Sequence, residues 1–347
     1  MPPFTYKPVD KAYYEREIRD FLPEHVIDAH AHVYSPVLRN RGDAVNPSGR
    51  SQSWPSLVAA YNPIDDLVDT YRMLFPDQEV TPVIFGMPTL EYDVNKSNEH
   101  ISEIARRIGC PALLLARPEQ TADELDATFT RGGFQGVKVY LEYAPSYIPA
   151  QEVRIFDFAP HYQLEVMNAR ESALMLHIPR PGRLKDPVNM AQLLEIDRQY
   201  PKIKLIVAHV GRAYAMEDVG DALDVLKESR MMFDFSANTN QQVFEETLQK
   251  VGARRILFGS DLPITRMRMK RVVENGCYIN VIQKGAYGDV SDDPHMREIE
   301  GAEADALSLF LYEEIAAMRR ACEKVGISRA DVNALFFDNA ADIFHVK

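Results

Sequence analysis

From residue 26 onward the chain alternates between two hydrophobic rhythms. Short, nearly continuous apolar runs occupy 26–33, 81–88, 111–118, 136–141, 173–179, 203–210, 231–236 and 255–261. Between them lie stretches in which apolar residues recur every three or four positions, at 63–75, 97–108, 121–131, 157–171, 187–199, 216–228 and 240–251. The first rhythm is that of a strand covered on both faces, the second that of a helix with one buried stripe. Eight strands joined by helices predict a parallel α/β sheet, and eight units closing on themselves predict a (β/α)8 TIM barrel. An open doubly wound sheet is the competing architecture. Its commonest signature, Gly-x-Gly-x-x-Gly after a strand, is missing from the sequence.

The remaining segments read as additions to that barrel. Pro2, Pro3, Pro8 and Pro23 surround a polar helical stretch at 11–18, so residues 1–25 read as an N-terminal arm and 26–347 as one barrel domain. Residues 34–62 show no clean period, and 263–300 follow the last strand with a basic run from Arg266 to Arg271. Loops of such length are uncommon unless functional. Both are expected as inserted loops at the C-terminal face, acting as lids or dimer contacts. The tail from 301 to 345 reads as extra helices, one of them closing the barrel.

Composition adds little beyond exclusions. With 46% hydrophobic and 26% charged residues the chain is ordinary for a globular protein. Its net charge of −12 disfavours a nucleic-acid or anionic-membrane partner. Cys110, Cys277 and Cys322 are odd in number and form no Cys-x-x-Cys pair, which argues against a disulfide scaffold or a zinc ribbon. Neither a signal pattern nor an apolar run near 18 residues is present, so a soluble cytoplasmic protein is the default. A homodimer is expected separately, with the 263–300 insertion as a candidate contact.

Polar residues at the strand ends change the picture. His30 and His32 end the first strand, His177 the fifth, His209 the sixth and Asp261 the eighth. Residues two apart in a strand share a face and lie roughly 6.5–7 Å apart, so the imidazoles of His30-Ala31-His32 can converge. C-terminal strand ends form the rim where barrel enzymes place their chemistry. Two nitrogens from strand one, one from strand five and a carboxylate from strand eight suit a borderline divalent ion, with a position left for water. Asp28 is expected on the same strand face as His30, orienting it from behind.

These residues resemble a known pattern. His-x-His on strand one, His on five, His on six and Asp on eight is similar to the amidohydrolase superfamily. The text around them (Val26-Ile27-Asp28-Ala29-His30-Ala31-His32, Ala208-His209-Val210-Gly211-Arg212, Ile256 to Pro263 and Asn339-Ala340-Ala341) resembles its amidohydrolase-2 branch. That branch holds lactone and amide hydrolases, a hydratase and non-oxidative decarboxylases of the aminocarboxymuconate-semialdehyde type. The resemblance implies His30, His32, His177 and Asp261 as ligands of one divalent ion, zinc first and manganese second. It implies His209 and Asp261 as the proton-handling catalytic residues. Binuclear relatives bridge two metals through a carbamylated lysine on strand four; Lys138 has the strand, but a second metal is disfavoured because Lys138 lies inside the strand rather than at its end.

The substrate is expected to be a small carboxylate. Arg117, Arg180 and Arg212 stand near the rim and Lys138 inside it, and arginine grips a carboxylate through two parallel hydrogen bonds. Acidic neighbours such as Glu217, Asp218 and Asp221 offer these arginines a purely structural alternative. The expected activity is hydrolysis of a lactone, amide or ester by a metal-activated water. The alternatives are decarboxylation of a small unsaturated or aromatic acid, and a silent metal-binding relative, which would normally have lost a ligand.

Overall fold

The computed structural model describes residues 3–40, 50 and 55–346. Eight parallel strands follow one another in chain order: β1 (His25–His32), β2 (Glu79–Phe85), β3 (Leu113–Leu115), β4 (Gly136–Val139), β5 (Ala173–Leu176), β6 (Lys204–Val207), β7 (Met232–Asp234) and β8 (Ile256–Leu257). β1 pairs with β2, and β3 to β8 form a six-stranded sheet. The two arcs meet at parallel bridges, Ile84 with Ala112 and Ala31 with Leu262. Main-chain bonds close both seams: Ile84 N–H to Pro111 O at 3.1 Å, Ala29 N–H to Phe258 O at 3.0 Å and His32 N–H to Leu262 O at 2.9 Å. The expected barrel is therefore present. Its paired strands are shorter than their apolar runs because the last residues of each run leave the ladder and turn into the rim.

Helices form between the strands where local signals start and stop them. Asp93 accepts from the Lys96 N–H at the head of helix Val94–Ile108, and Thr121 and Glu124 cap helix Ala122–Gly132 reciprocally. Gly109 and Gly133 end these helices at φ 73° and 69°, a left-handed conformation that side chains resist. Among the described residues no helix is long and apolar enough to cross a membrane.

The barrel interior packs Ile27, Ala29, Val83, Phe85, Leu113, Met175, Ile206 and Leu257 against Ile343 and Phe344 of the last helix, Asn339–Phe344. That helix fills one end of the barrel, and the polar residues collect at the other. β1 breaks strict alternation to achieve this. Its register against β2 shifts between Asp28 and Ala31. Ile27 and Ala29 already belong to the interior, so simple alternation would turn His30 outward; the bulge returns it inward. Asp28 is left on the outer side, accepting from the Tyr71 hydroxyl of helix Ile64–Leu74 at 2.6 Å. The expectation that Asp28 shares a face with His30 is corrected accordingly. Asp28 reaches His30 through the backbone N–H, at 3.0 Å, not through the ring.

The 263–300 segment is also more ordered than a loop. β9 (Met269–Glu274) and β10 (Cys277–Gln283) form an antiparallel hairpin, and β11 (Met296–Ile299) adds alongside β10. Asn275 and Gly276, at φ 51° and 75°, make the turn, the pairing that right-handed hairpin twist favours. Buried Asp10, in helix Pro8–Tyr13, binds Arg268 at 2.7 Å and so ties the N-terminal residues to this insertion. The lid expected at 34–62 lies partly outside the described residues, at 41–49 and 51–54; its ends are joined by the Tyr34–Asn62 bridge.

Candidate metal centre

Ligand atoms of His30, His209 and Asp261 lie within 4.8 Å of one another at the rim. His32 joins through the carboxylate: its Nε2 is 3.2 Å from Asp261 Oδ1, and His30 Nε2 is 3.5 Å from the same oxygen. The His177 ring packs edge-on to His209, centroids 5.3 Å apart, and to Tyr140 at 4.9 Å. Strand ends β1, β6 and β8 thus meet directly, with β5 alongside.

What lies behind each ring decides which nitrogen faces the cluster. His30 Nδ1 is 3.0 Å from Asp234 Oδ2, His32 Nδ1 is 3.2 Å from Gly86 O and His209 Nδ1 is 3.1 Å from Ser236 O. Each acceptor draws the ring proton to Nδ1 and leaves Nε2 with a lone pair. His177 Nδ1 is buried with no hydrogen-bond partner among the described residues. Burial holds His30 down to about 3, with the Lys138 charge adding to it against Asp234 and Asp261. Burial also lowers His209, and carries His177 well below the imidazole range with Arg212 assisting. The carboxylates shift to stay ionised. Burial opposes this, but the His32 hydrogen bond and the neighbouring rings outweigh it and hold Asp261 at about 2; Asp234 is likewise held below its ordinary range. Neutral imidazoles beside ionised carboxylates are the forms that ligate a divalent cation, so this donor set fits one.

Lys138 points into the same centre. It is buried on β4, with Nζ 3.3 Å from His30 Nε2 and 5.2 Å from the Phe85 ring centroid, and burial lowers it to about 8. Asp234 and Ser236 belong here too, although no motif announced them. Asp234 Oδ1 accepts from the backbone N–H of His209 at 3.0 Å and of Ser236 at 3.1 Å, and from the Ser236 hydroxyl. Ser236 Oγ lies 2.9 Å from His209 Nδ1. The available signal was position alone: an aspartate inside the seventh apolar run, whereas Asp261 ends the eighth.

A family model described as Amidohydrolase (Amidohydro_2) matches residues 27–346. The chain belongs to the amidohydrolase family. A comparison with curated proteins gives no match. Among solved structures it is similar to a dihydroxybenzoic acid decarboxylase from Polaromonas with bound manganese and the inhibitor 2-nitroresorcinol (16% identity, 93% of this chain and 97% of that one, TM-score 0.54). It is also similar to a probable 2-pyrone-4,6-dicarboxylic acid hydrolase from Acinetobacter baumannii with citric acid bound (15%, 92% and 99%, 0.54). A third is 4-oxalomesaconate hydratase from Rhodopseudomonas palustris (15%, 92% and 95%, 0.56). At these identities the likeness establishes the shared fold, and family membership rests on the sequence model.

The arginines of this amidohydrolase divide sharply. Arg117 is exposed and pairs with Glu119 at 3.3 Å; Arg180 pairs with Asp186 at 3.1 Å and Arg183 with Asp218 at 2.7 Å. Arg212 has no carboxylate at ion-pair distance among the described residues. Its Nη1 reaches only the carbonyls of Ile178 and Pro179, at 3.4 and 3.3 Å. Arg212 is delivered by a left-handed turn, with His209, Val210, Gly211 and Arg212 at φ 57°, 48°, 61° and 58°. A β-branched residue there is unusual, and a Cβ at Gly211 would come 2.5 Å from Leu184 Cδ1. The turn aims the His209 ring and the Arg212 guanidinium from adjacent positions on the rim.

Proposed function

We propose that this amidohydrolase is a metal-dependent hydrolase opening a small carboxylate-bearing lactone, amide or ester. The convergence of His30, His209 and Asp261 within 4.8 Å, beside His32, carries the reading. A divalent ion, zinc before manganese, held by His30, His32, His177 and Asp261, would acidify a water and polarise the substrate carbonyl. Asp261, ionised and aimed into the cluster, accepts the proton of the attacking water. His209, with its Nδ1 proton on Ser236 O, presents Nε2 to take up a proton and return it to the leaving group. Arg212 holds the remote carboxylate. The reading keeps the homodimer and cytoplasmic location expected from the sequence, open to light scattering and cell fractionation.

Decarboxylation is the second reading. It is favoured by Lys138, whose ammonium sits 3.3 Å from His30 Nε2 and can supply a proton to carbon. Turnover of a panel of lactones, amides and aromatic acids in ¹⁸O-water separates the two. Hydrolysis places the label in a product carboxylate without CO2 release. Stoichiometric CO2 with carbon-bound deuterium in D2O would overturn the hydrolase assignment.

A further inference from the structure

The insertion carries a guanidinium to the rim. Arg271, on β9, donates from Nη1 to Ala237 O at 2.7 Å and from Nε to Asn280 Oδ1 at 2.8 Å. Ala237 follows Ser236, whose hydroxyl touches His209, so Arg271 enters beside the end of β7. Its guanidinium lies over the rings of Tyr214, Tyr278 and Phe310, at 4.7, 4.7 and 4.6 Å from their centroids. Tyr214 is two residues beyond Arg212. Arg183 stacks on the same two tyrosines at 5.3 and 4.8 Å, but Asp218 answers its charge.

Arg271 has no such answer. Among the described residues no carboxylate lies at ion-pair distance from it, and its Nη2 makes no hydrogen bond there. The hydroxyls of Tyr214 and Tyr278 likewise find no partner among those residues. Arg271 is half-buried, so the edge that meets no residue stays open to solvent at the rim, and the ring faces hold the cation without neutralising it. A pin for the hairpin needs only the two bonds already made. A cation stacked on three rings, with an N–H edge that no described residue answers, is built to meet an anion.

We propose that Arg271, with Tyr214 and Tyr278, is a second anion-recognition point, so that the preferred substrate carries two negatively charged groups. One is held by Arg212 near the metal centre, the other by Arg271 at the rim. This rests on the anionic substrate of the preceding reading and adds to it what the insertion is for: selecting a di-acid over a mono-acid.

Calorimetric titration of the zinc-loaded protein tests it, with butyrate as the mono-acid and malonate, succinate, glutarate and adipate scanning the separation of two carboxylates. At least one di-acid should bind about tenfold or more tightly than butyrate, the usual worth of a charge-assisted contact. Arg271→Gln should abolish that advantage while butyrate binding stays within about twofold, and Arg271→Lys should retain part of it. Chelation of zinc by a di-acid survives these substitutions and is thereby read separately. Should Arg271→Gln unfold, Tyr278→Phe removes only a hydroxyl and should still shrink the advantage. No di-acid advantage, an advantage that survives Arg271→Gln, or equal weakening of both ligands would overturn the proposal. Butyrate binding that ignores Arg212→Gln would instead count against the anionic anchor of the hydrolase reading.

Discussion

Asp234 is the place to test whether the centre works as its hydrogen bonds suggest. Four donors converge on this carboxylate: the His30 ring on Oδ2, and the His209 N–H, Ser236 N–H and Ser236 hydroxyl on Oδ1. Asparagine keeps the shape but offers one acceptor oxygen. If that oxygen serves the Oδ1 side, its amide N–H faces the His30 Nδ1–H. The ring must then move its proton to Nε2, the atom that faces Asp261 and the cluster. If the amide turns over, three donors lose their acceptor instead. Either way a buried charge-assisted hydrogen bond is lost, about 1.5–3 kcal/mol. At 1.4 kcal/mol per decade that is roughly 10–150-fold, in line with the 10–100-fold that outer partners of metal-binding histidines are usually worth. Asp234→Asn should therefore bind zinc about 10–100-fold more weakly in competition with a chromophoric chelator. ¹⁵N spectra of histidine-labelled protein should show His30 changing from the Nδ1–H to the Nε2–H form. Undiminished zinc affinity with His30 still protonated on Nδ1 would refute the reasoning.

Three further outcomes follow from the same geometry. His209→Asn should retain metal while lowering turnover by about 10²–10⁴-fold, and loss of the metal would move His209 among the ligands. Arg212→Lys should raise KM with kcat largely kept, because a lysine replaces a two-point grip with a point charge; unchanged KM would remove Arg212 from substrate binding. Glu314, buried on helix Phe310–Val325, accepts the Ala237 N–H through Oε2 at 2.7 Å while its Oε1 has no partner among the described residues, and burial raises it well above the usual carboxyl value. A raised acid stabilises the fold below its unfolded value of about 4.5, and that contribution is lost as pH climbs through the raised one. Glu314→Gln should thus unfold at a higher temperature than the parent at pH 8 and approach it near pH 4, whereas a pH-independent difference would sink the assignment.

Much of this was legible in the sequence because strands buried on both faces and helices with one buried stripe have different periods. The ligand-bearing strand ends were legible for a related reason: a histidine or aspartate interrupting the end of an apolar run has few other uses. Local departures from period were harder. The bulge in β1 moves Asp28 to the outer face, and no composition rule marks it. The hairpin at 269–283 did carry a signal, Asn275-Gly276 between alternating residues, which the length of the insertion masked. Asp234 carries no such signal, being a lone acid within Met232-Phe233-Asp234-Phe235. Its importance comes from His30 and His209, which approach it only in the folded barrel.

Backbone strain draws the same boundary between scaffold and centre. His209, Val210 and Arg212 after β6, Ala237 after β7 and Asp261 after β8 all sit at positive φ without being glycine. Each such residue is disfavoured by about 1–2 kcal/mol, least at His209 and Asp261, whose residue types tolerate this region, and most at β-branched Val210. What holds them there is tertiary. The His209 N–H is taken by Asp234, the Ala237 N–H by Glu314 and its carbonyl by Arg271, and the Asp261 N–H by the His30 carbonyl at 2.8 Å. In each case a group from another element holds a peptide that would otherwise relax. The residues so held carry the His209 ring and the Asp261 carboxylate, together with Ala237, on which Arg271 bears, and Arg212 follows in the same turn as His209. A regular strand end would spread these groups around the rim. The strained turns gather them, and the packed barrel beneath, from Ile27 to Phe344, is what holds the turns in place.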